Sequence, residues 1–127
     1  MRQVRKQPVF LDLRKIHFPI GAVLSILHRI TGVILVLAIP VFLYVFQLMN
    51  SGKEGFSSAT ELLQSIPGKV LSSLVLWLLI QHTLSGIRHL VMDLDFGYPR
   101  QSARKSARVA FGVSLLLIMA SGWMIWQ

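Results

Sequence analysis

The fold is decided by the stretch ITGVILVLAIPVFLYVFQLMNSG, residues Ile30–Gly52, in which 23 successive residues include no Lys, Arg, Asp or Glu. Two more stretches share this property, Val70–Ile87 with 18 residues and Val109–Gln127 with 19. A helix needs about 20 predominantly apolar residues to cross a hydrocarbon core of about 30 Å. We therefore predict an all-α chain whose three transmembrane helices form part of a multi-chain helical bundle.

The composition supports a membrane location. Of the 127 residues, 54% are hydrophobic and only 14% are charged, whereas soluble domains carry about 25% charged residues. A small soluble domain needs more polar surface than this, because its surface is large relative to its volume. The chain has no Cys, which excludes a disulfide scaffold, a thiolate zinc site and iron–sulfur ligation by this chain.

The three spans are expected at about 19–49, 67–92 and 104–126, within a single membrane-anchor domain that covers residues 1–127. Pro19 suits a first helical turn, and Pro40 should kink the first span.

Two shorter segments connect the spans. Between the first two, Ser58-Ala59-Thr60-Glu61 fits a capping box and predicts a short surface helix. The segment Asp93–Pro99 carries the turn before the third span.

The distribution of charge predicts the orientation. The net charge is +8, and of the 13 Lys and Arg residues only Lys53 and Lys69 lie on the first connection. By the positive-inside rule the N-terminus and second connection face the cytoplasm and the C-terminus faces the opposite side of the membrane. This pattern argues against nucleic acid as the partner of the basic residues. The N-terminus lacks the short apolar run and cleavage site of a removable signal peptide.

The second span carries a polar stripe of His82, Gly86, His89 and Asp93. At about 100° per residue these four fall within about 60° on one helix face. An ionisable side chain inside a span is a functional-site hypothesis by default. The alternative is a neutral histidine hydrogen-bonded to a neighbouring helix. Gly86 could make room for a flat macrocycle or simply for another helix.

The spacing of the histidines limits the chemistry. His82 and His89 are about two turns apart, too far to share one metal ion. A haem ligated by one of them, with the other beyond its edge, is geometrically reasonable. The second axial ligand would then come from another chain, since no other histidine lies in the interior of a span; His28 is near the cytoplasmic end of the first span. His17 is assigned no role.

The first span carries a second polar patch of Ser25, His28, Arg29 and Gly32. A hydroxyl, an imidazole and a guanidinium suit a quinone carbonyl or a haem propionate. Because the first two spans are antiparallel, His28 and Arg29 should lie near the level of His89. Arg88 falls off the polar stripe, so we expect it to be a topological anchor.

Two motifs make the chain resemble the larger cytochrome b membrane-anchor subunit of succinate dehydrogenase, respiratory complex II. Residues 25–32 match Ser-x-x-His-Arg-x-[Ser/Thr]-Gly, and residues 82–93 match His-x-x-x-Gly-x-Arg-His-x-x-x-Asp. The resemblance covers the whole chain, since three spans at this length fill it.

The resemblance implies roles for individual residues. His82 would be an axial ligand of haem b, and Ser25 and Arg29 would line a ubiquinone site. His28 would lie by the haem propionates, where Arg29 could also reach, and His89 would lie near the haem edge. Asp93 would lie on a proton path.

It also implies partners: a second small membrane-anchor subunit that supplies the other haem ligand, an iron–sulfur subunit and a flavoprotein subunit. The chain would then have no complete active site of its own.

Two other functions remain open from the sequence. One is the anchor of a fumarate reductase that uses menaquinone. The other is a haem-free small transporter or structural membrane anchor, although a transporter would be expected to place acidic groups in its spans, and here there are none.

Overall fold

The computed structural model describes residues 18–97 and 99–127, and this part of the chain is helical without strands. It has four helices: α1 Ile20–Met49, α2 Lys53–Gln64, α3 Ile66–Asp93 and α4 Arg100–Trp126. Helices α1, α3 and α4 are long and apolar enough to cross a membrane, which confirms the predicted fold class. The N-terminal residues that we expect on the cytoplasmic side, His17 included, lie outside the described residues.

Helix α1 is apolar around almost its whole circumference. None of the residues in its most apolar window is buried within the chain. It begins after Pro19 and continues through Pro40 as one helix, although Pro40 cannot donate the usual backbone hydrogen bond. A helix that is apolar on all sides is stable only where lipid or another protein covers it. Most of α1 therefore faces surroundings that this chain does not supply.

The predicted short helix exists as α2, but the predicted capping box is wrong. Helix α2 begins after Gly52, whose φ of 108° suits glycine, and Ser58 lies exposed in the middle of it. The turn from α1 is tight, because the side chain of Ser51 and the carbonyl of Leu48 fill the space where Gly55 would carry a Cβ. The helix therefore starts earlier than the local sequence pattern indicates.

A single residue, Ser65, separates the end of α2 from the beginning of α3. Ser65 caps it, accepting a hydrogen bond at 3.2 Å from the backbone N–H of Gly68. The space where Gly68 would carry a Cβ is filled by the backbone of Leu62 and Leu63. Only glycine fits at this corner, so α2 is held against the beginning of α3.

The centre of the bundle is α3, which packs against α1 on one side and α4 on the other. Its buried face is polar: Gln81, Ser85 and Arg88 are 2%, 1% and 9% exposed. Gln81 Nε2 donates to Ser85 Oγ at 3.0 Å. Because a buried polar group without a partner is costly inside a bilayer, this bond within α3 lets both side chains be buried.

Arg88 joins α3 to α4 rather than reaching out to the membrane surface, so the expected role as a topological anchor is wrong. Its Nε donates to Ser106 Oγ at 3.2 Å and its Nη2 to the carbonyl of Ala103 at 3.0 Å. A Cβ on Gly21 of α1 would lie 3.6 Å from Nη2. The guanidinium therefore joins α3 to α4 and lies close to the Gly21 position of α1.

The two ends of the bundle differ. At the basic end, where α1 begins, α3 ends and α4 begins, Arg104, Lys105 and Arg108 are exposed. Asp95 and Gly97 turn the chain there with φ values of 62° and 76°. At the far end, Trp126 Nε1 donates to Ser73 Oγ at 3.3 Å, and Lys69 Nζ lies 6.0 Å from the centroid of the Trp126 ring. Helices α3 and α4 are thus tied at both ends.

We predict that Arg88→Ala weakens the packing of α3 against α4 by about 2 kcal/mol, because it removes two hydrogen bonds and leaves a void. Arg108→Ala is the matched control, since Arg108 is exposed on α4. The chain has no Cys, so a cysteine pair introduced into α3 and α4 reports their contact in native membranes. Cross-linking should slow several-fold in Arg88→Ala only. Equal cross-linking in both variants would contradict this role.

Candidate functional site

Three histidines meet between α1 and α3. The rings of His28 and His82 are stacked, with centroids 4.2 Å apart and planes 15° from parallel. The His89 ring lies 5.3 Å from that of His28 at an angle of 47°. The expected proximity of His28 to His89 is confirmed, and the structure also places His28 against His82. One residue of α1 therefore unites the two histidines that α3 holds about two turns apart.

Two glycines make this arrangement possible. A Cβ on Gly32 of α1 would lie 2.9 Å from Cε1 of His82, and a Cβ on Gly86 of α3 would lie 3.1 Å from Nε2 of His28. Each helix thus offers a glycine to the histidine of the other. Of the two uses foreseen for Gly86, the structure shows the close approach of a neighbouring helix.

The ring of His82 is oriented by the backbone of α1. Its Nδ1 lies 3.1 Å from the carbonyl oxygen of His28 and 3.3 Å from Thr31 Oγ1. A carbonyl oxygen can only accept, so Nδ1 carries the hydrogen. In a neutral imidazole the lone pair is then on Nε2. Within the described residues, Nε2 has no hydrogen-bond partner. His82 therefore has a lone pair on Nε2 that is free to bind a metal ion.

A cavity of about 500 Å³ lies beside the side chain of His82. It is open on the outer face of α1, and the described residues that line it are His28, Arg29, Gly32, Val33, Val36, Leu37 and His82. The apolar residues form most of its wall, and Arg29 adds a charged group that is exposed. Such a mostly apolar cavity with a few polar groups is typical of a ligand site.

The residues predicted from the sequence are partly brought together. His28, Arg29 and His82 line one cavity, and His89 contacts His28. Ser25 is half-buried one turn before Arg29 and is not among the described residues that line the cavity. Asp93 is exposed as the last residue of α3, on the same side of the helix as His89.

Thr31 was not among the residues predicted for the site, yet it is 1% exposed and close to His82. Its position in the first motif, between His28 and Gly32, is the sequence feature that could have indicated it. Within the described ranges, no group of three His, Cys, Asp or Glu side chains is arranged to hold a bare metal ion.

The fold and the site define an all-α membrane subunit with a histidine-lined cavity between two of its long helices. The chain belongs to the family described as succinate dehydrogenase/fumarate reductase transmembrane subunit, which it matches over residues 3–121. This confirms the resemblance predicted from the two motifs.

Individual relatives agree with the family. The chain is 40% identical over 125 residues to the succinate dehydrogenase cytochrome b556 subunit of Coxiella burnetii (strain RSA 493 / Nine Mile phase I), covering 95% of this chain and 98% of that protein. It is 29% identical over 111 residues to the cytochrome b556 subunit of Paracoccus denitrificans, covering 87% and 85%. It is 26% identical over 124 residues to the cytochrome b560 subunit of Reclinomonas americana, covering 94% and 85%.

We predict that Gly32→Ala destabilises the packing of α1 on α3, because its methyl group would lie 2.9 Å from Cε1 of His82. Overpacking of this kind costs about 1–3 kcal/mol. Gly112→Ala in α4 is the matched control, since no atom lies within 4 Å of its Cβ position. Alanine should leave stability there unchanged or raise it by up to about 1 kcal/mol. The thermal midpoint of the detergent-solubilised protein measures both, and equal midpoints would show that the fit at Gly32 is loose.

Proposed function

We propose that this chain is the cytochrome b membrane-anchor subunit of a succinate:ubiquinone oxidoreductase. In this function it binds haem b together with a partner anchor chain and contributes to the ubiquinone reduction site. The observation that carries the proposal is that His82, whose Nε2 is free, lines an open cavity with residues of α1. The printed names of the relatives, all cytochrome b subunits of succinate dehydrogenase, support it.

The residues at the cavity fit a haem. An imidazole whose Nδ1–H is bound by a backbone carbonyl has the arrangement found in most metal-ligating histidines. His82 would ligate the iron, and His28, Arg29 and His89 provide polar or cationic groups for the propionates and the haem edge. When bound, the haem supplies one-electron transfer. This chain's contribution is the ligand, its orientation and the charge around it.

A second ligand for the haem iron would come from another chain. Among the described residues, the imidazole nearest to His82 is that of His28, which is stacked on its ring rather than placed across the cavity. The cavity is open on the outer face of α1, and α1 itself is largely uncovered. A second small membrane-anchor subunit would close the cavity and supply the ligand. The flavoprotein subunit would oxidise succinate, and the iron–sulfur subunit would carry the electrons to the membrane.

Ser25 and Arg29 are proposed to serve the quinone. They lie one turn apart on α1 at the basic end, with Ser25 half-buried and Arg29 exposed. A serine hydroxyl can donate a hydrogen bond to a quinone carbonyl, and a guanidinium can stabilise negative charge that develops on that oxygen during reduction. Asp93, exposed at the same end of the bundle, would pass protons to the site.

The orientation of the chain follows from its charges. The exposed cations Arg104, Lys105 and Arg108 gather at the basic end. The positive-inside rule supports the proposal that this end lies on the cytoplasmic side of a bacterial inner membrane and the end of α4 on the periplasmic side. The quinone groups at the basic end would then face the side on which the soluble subunits bind. A fumarate reductase anchor would use the same geometry, and the midpoint potential of the bound quinone distinguishes the two directions.

We predict that His82→Leu removes one axial ligand, so that the haem of the assembled complex is lost or becomes five-coordinate. Succinate oxidation with an artificial electron acceptor should continue, because the soluble subunits are intact. Reduced-minus-oxidised visible spectra of the purified complex measure the change. His89→Leu is the matched control, since His89 is not proposed as a ligand, and it should keep a six-coordinate haem. An unchanged low-spin spectrum in His82→Leu would exclude His82 as the ligand.

We predict that Ser25→Ala lowers ubiquinone reductase activity several-fold, because a neutral hydrogen bond contributes roughly 0.5–1.5 kcal/mol. Arg29→Leu should lower it further, because hydrogen bonds from charged groups are about twice as strong. Rates are compared at equal complex abundance, with a phenazine-type acceptor as the reference.

The control for the serine is Ser114→Ala, which removes a buried hydroxyl from α4 that is bonded only to its own helix. It should leave quinone reduction unchanged. Wild-type rates in both the Ser25 and Arg29 variants would mean that these side chains serve topology and packing only.

A further inference from the structure

We propose that Thr31 is a positioning residue for His82: its hydroxyl, together with the carbonyl of His28, fixes the ring orientation and the donor strength of the histidine. The inference rests on the proposed ligation of haem by His82. It assigns a function to a buried side chain of α1 that would not touch the haem itself.

The first step is the direction of the hydrogen bonds around Thr31. Its Oγ1 lies 2.8 Å from the carbonyl oxygen of Leu27, 3.0 Å from that of His28 and 3.3 Å from Nδ1 of His82. The hydroxyl has one hydrogen, which the shortest distance assigns to Leu27. A lone pair of Oγ1 is then left to accept from the Nδ1–H of His82. The same N–H also points to the carbonyl of His28 at 3.1 Å.

The second step concerns orientation. One acceptor at Nδ1 would leave the ring free to turn about the hydrogen bond, whereas two acceptors on α1 define its plane. The stacked ring of His28 supports one face of it, at a centroid distance of 4.2 Å. Gly32 lies against Cε1. Each of these contacts comes from α1, so the direction in which Nε2 points depends on a neighbouring helix.

The third step concerns donor strength. Acceptors on the N–H of a ligating histidine raise the basicity of its other nitrogen. A more basic Nε2 binds ferric iron more strongly than ferrous iron, because ferric iron has the higher charge. Loss of the Thr31 hydroxyl should therefore weaken haem retention and raise the midpoint potential of the haem.

A purely structural role makes a different prediction. Threonine in a helix often bonds the carbonyl four residues earlier, and Thr31 is 1% exposed and tightly packed. If packing were its only role, valine, which has the same shape, would replace it without effect on the haem.

The test uses Thr31→Val, Thr31→Ser and the matched control Thr83→Val in the assembled complex. Thr83 follows His82 directly but is exposed. Thr83→Val therefore removes the same kind of hydroxyl from a side chain that does not face the His82 ring. The readouts are the highest g value of the ferric haem in electron paramagnetic resonance, the haem midpoint potential, and the rate of haem transfer to an excess of apomyoglobin.

In Thr31→Val we expect a shifted g value, a higher midpoint potential and about tenfold faster haem transfer, the usual effect of removing an outer partner of a metal ligand. Thr31→Ser restores the hydroxyl and should return all three readouts to wild type, and Thr83→Val should not move them. If Thr31→Val does not assemble, Thr31→Ala is smaller, cannot clash, and should show the same shifts.

The proposal is overturned if hydroxyl-free variants at position 31 match the wild type in all three readouts while His82→Leu loses its haem. A failure of the proposed function looks different. In that case His82→Leu itself keeps a six-coordinate low-spin haem, and the ligation and the inference built on it are both wrong.

Discussion

The close approach of α1 and α3 is the constraint on which the rest of the structure depends. It exists because Gly32 and Gly86 leave room for an imidazole from the opposite helix. Inside a bilayer, where burial of apolar surface gives no driving force between helices, such close packing and the hydrogen bonds across it hold helices together. The contact that joins the helices also brings the nitrogen of His82 within reach of the α1 backbone. The same contacts therefore pack α1 against α3 and position the site residue His82.

The sequence predicted the large features because they follow from length and charge. Charge-free stretches of 18 residues or more must be covered by lipid or protein, and this predicts three long helices without any knowledge of their contacts. Local patterns were less reliable. The capping pattern at Ser58 was overridden by the tight corner at Gly55, where the carbonyl of Leu48 and the side chain of Ser51 leave no room for a Cβ.

The partners of individual side chains could not be predicted, because they depend on how each helix is rotated and tilted. A helical wheel shows that Arg88 lies away from His82, but it does not show that α4 is placed to receive it. Thr31 was inside a quoted motif, yet its function depends on a nitrogen 51 positions later in the chain. Helix α3 thus has two polar faces, one toward the histidine site and one buried, and the sequence indicated only the first.

The connection between α2 and α3 has a mechanical consequence. Ser65 is the only residue between these helices, and glycine at position 68 is fitted closely against the end of α2. So short a connection has almost no free backbone torsions. Helix α2 and the start of α3 must therefore move together. The loop at the opposite end, Leu94–Pro99, is longer and uses two left-handed residues. Strain applied to the bundle during assembly would therefore be relieved in this loop, beside His89 and Asp93. The connection between α2 and α3 would stay rigid.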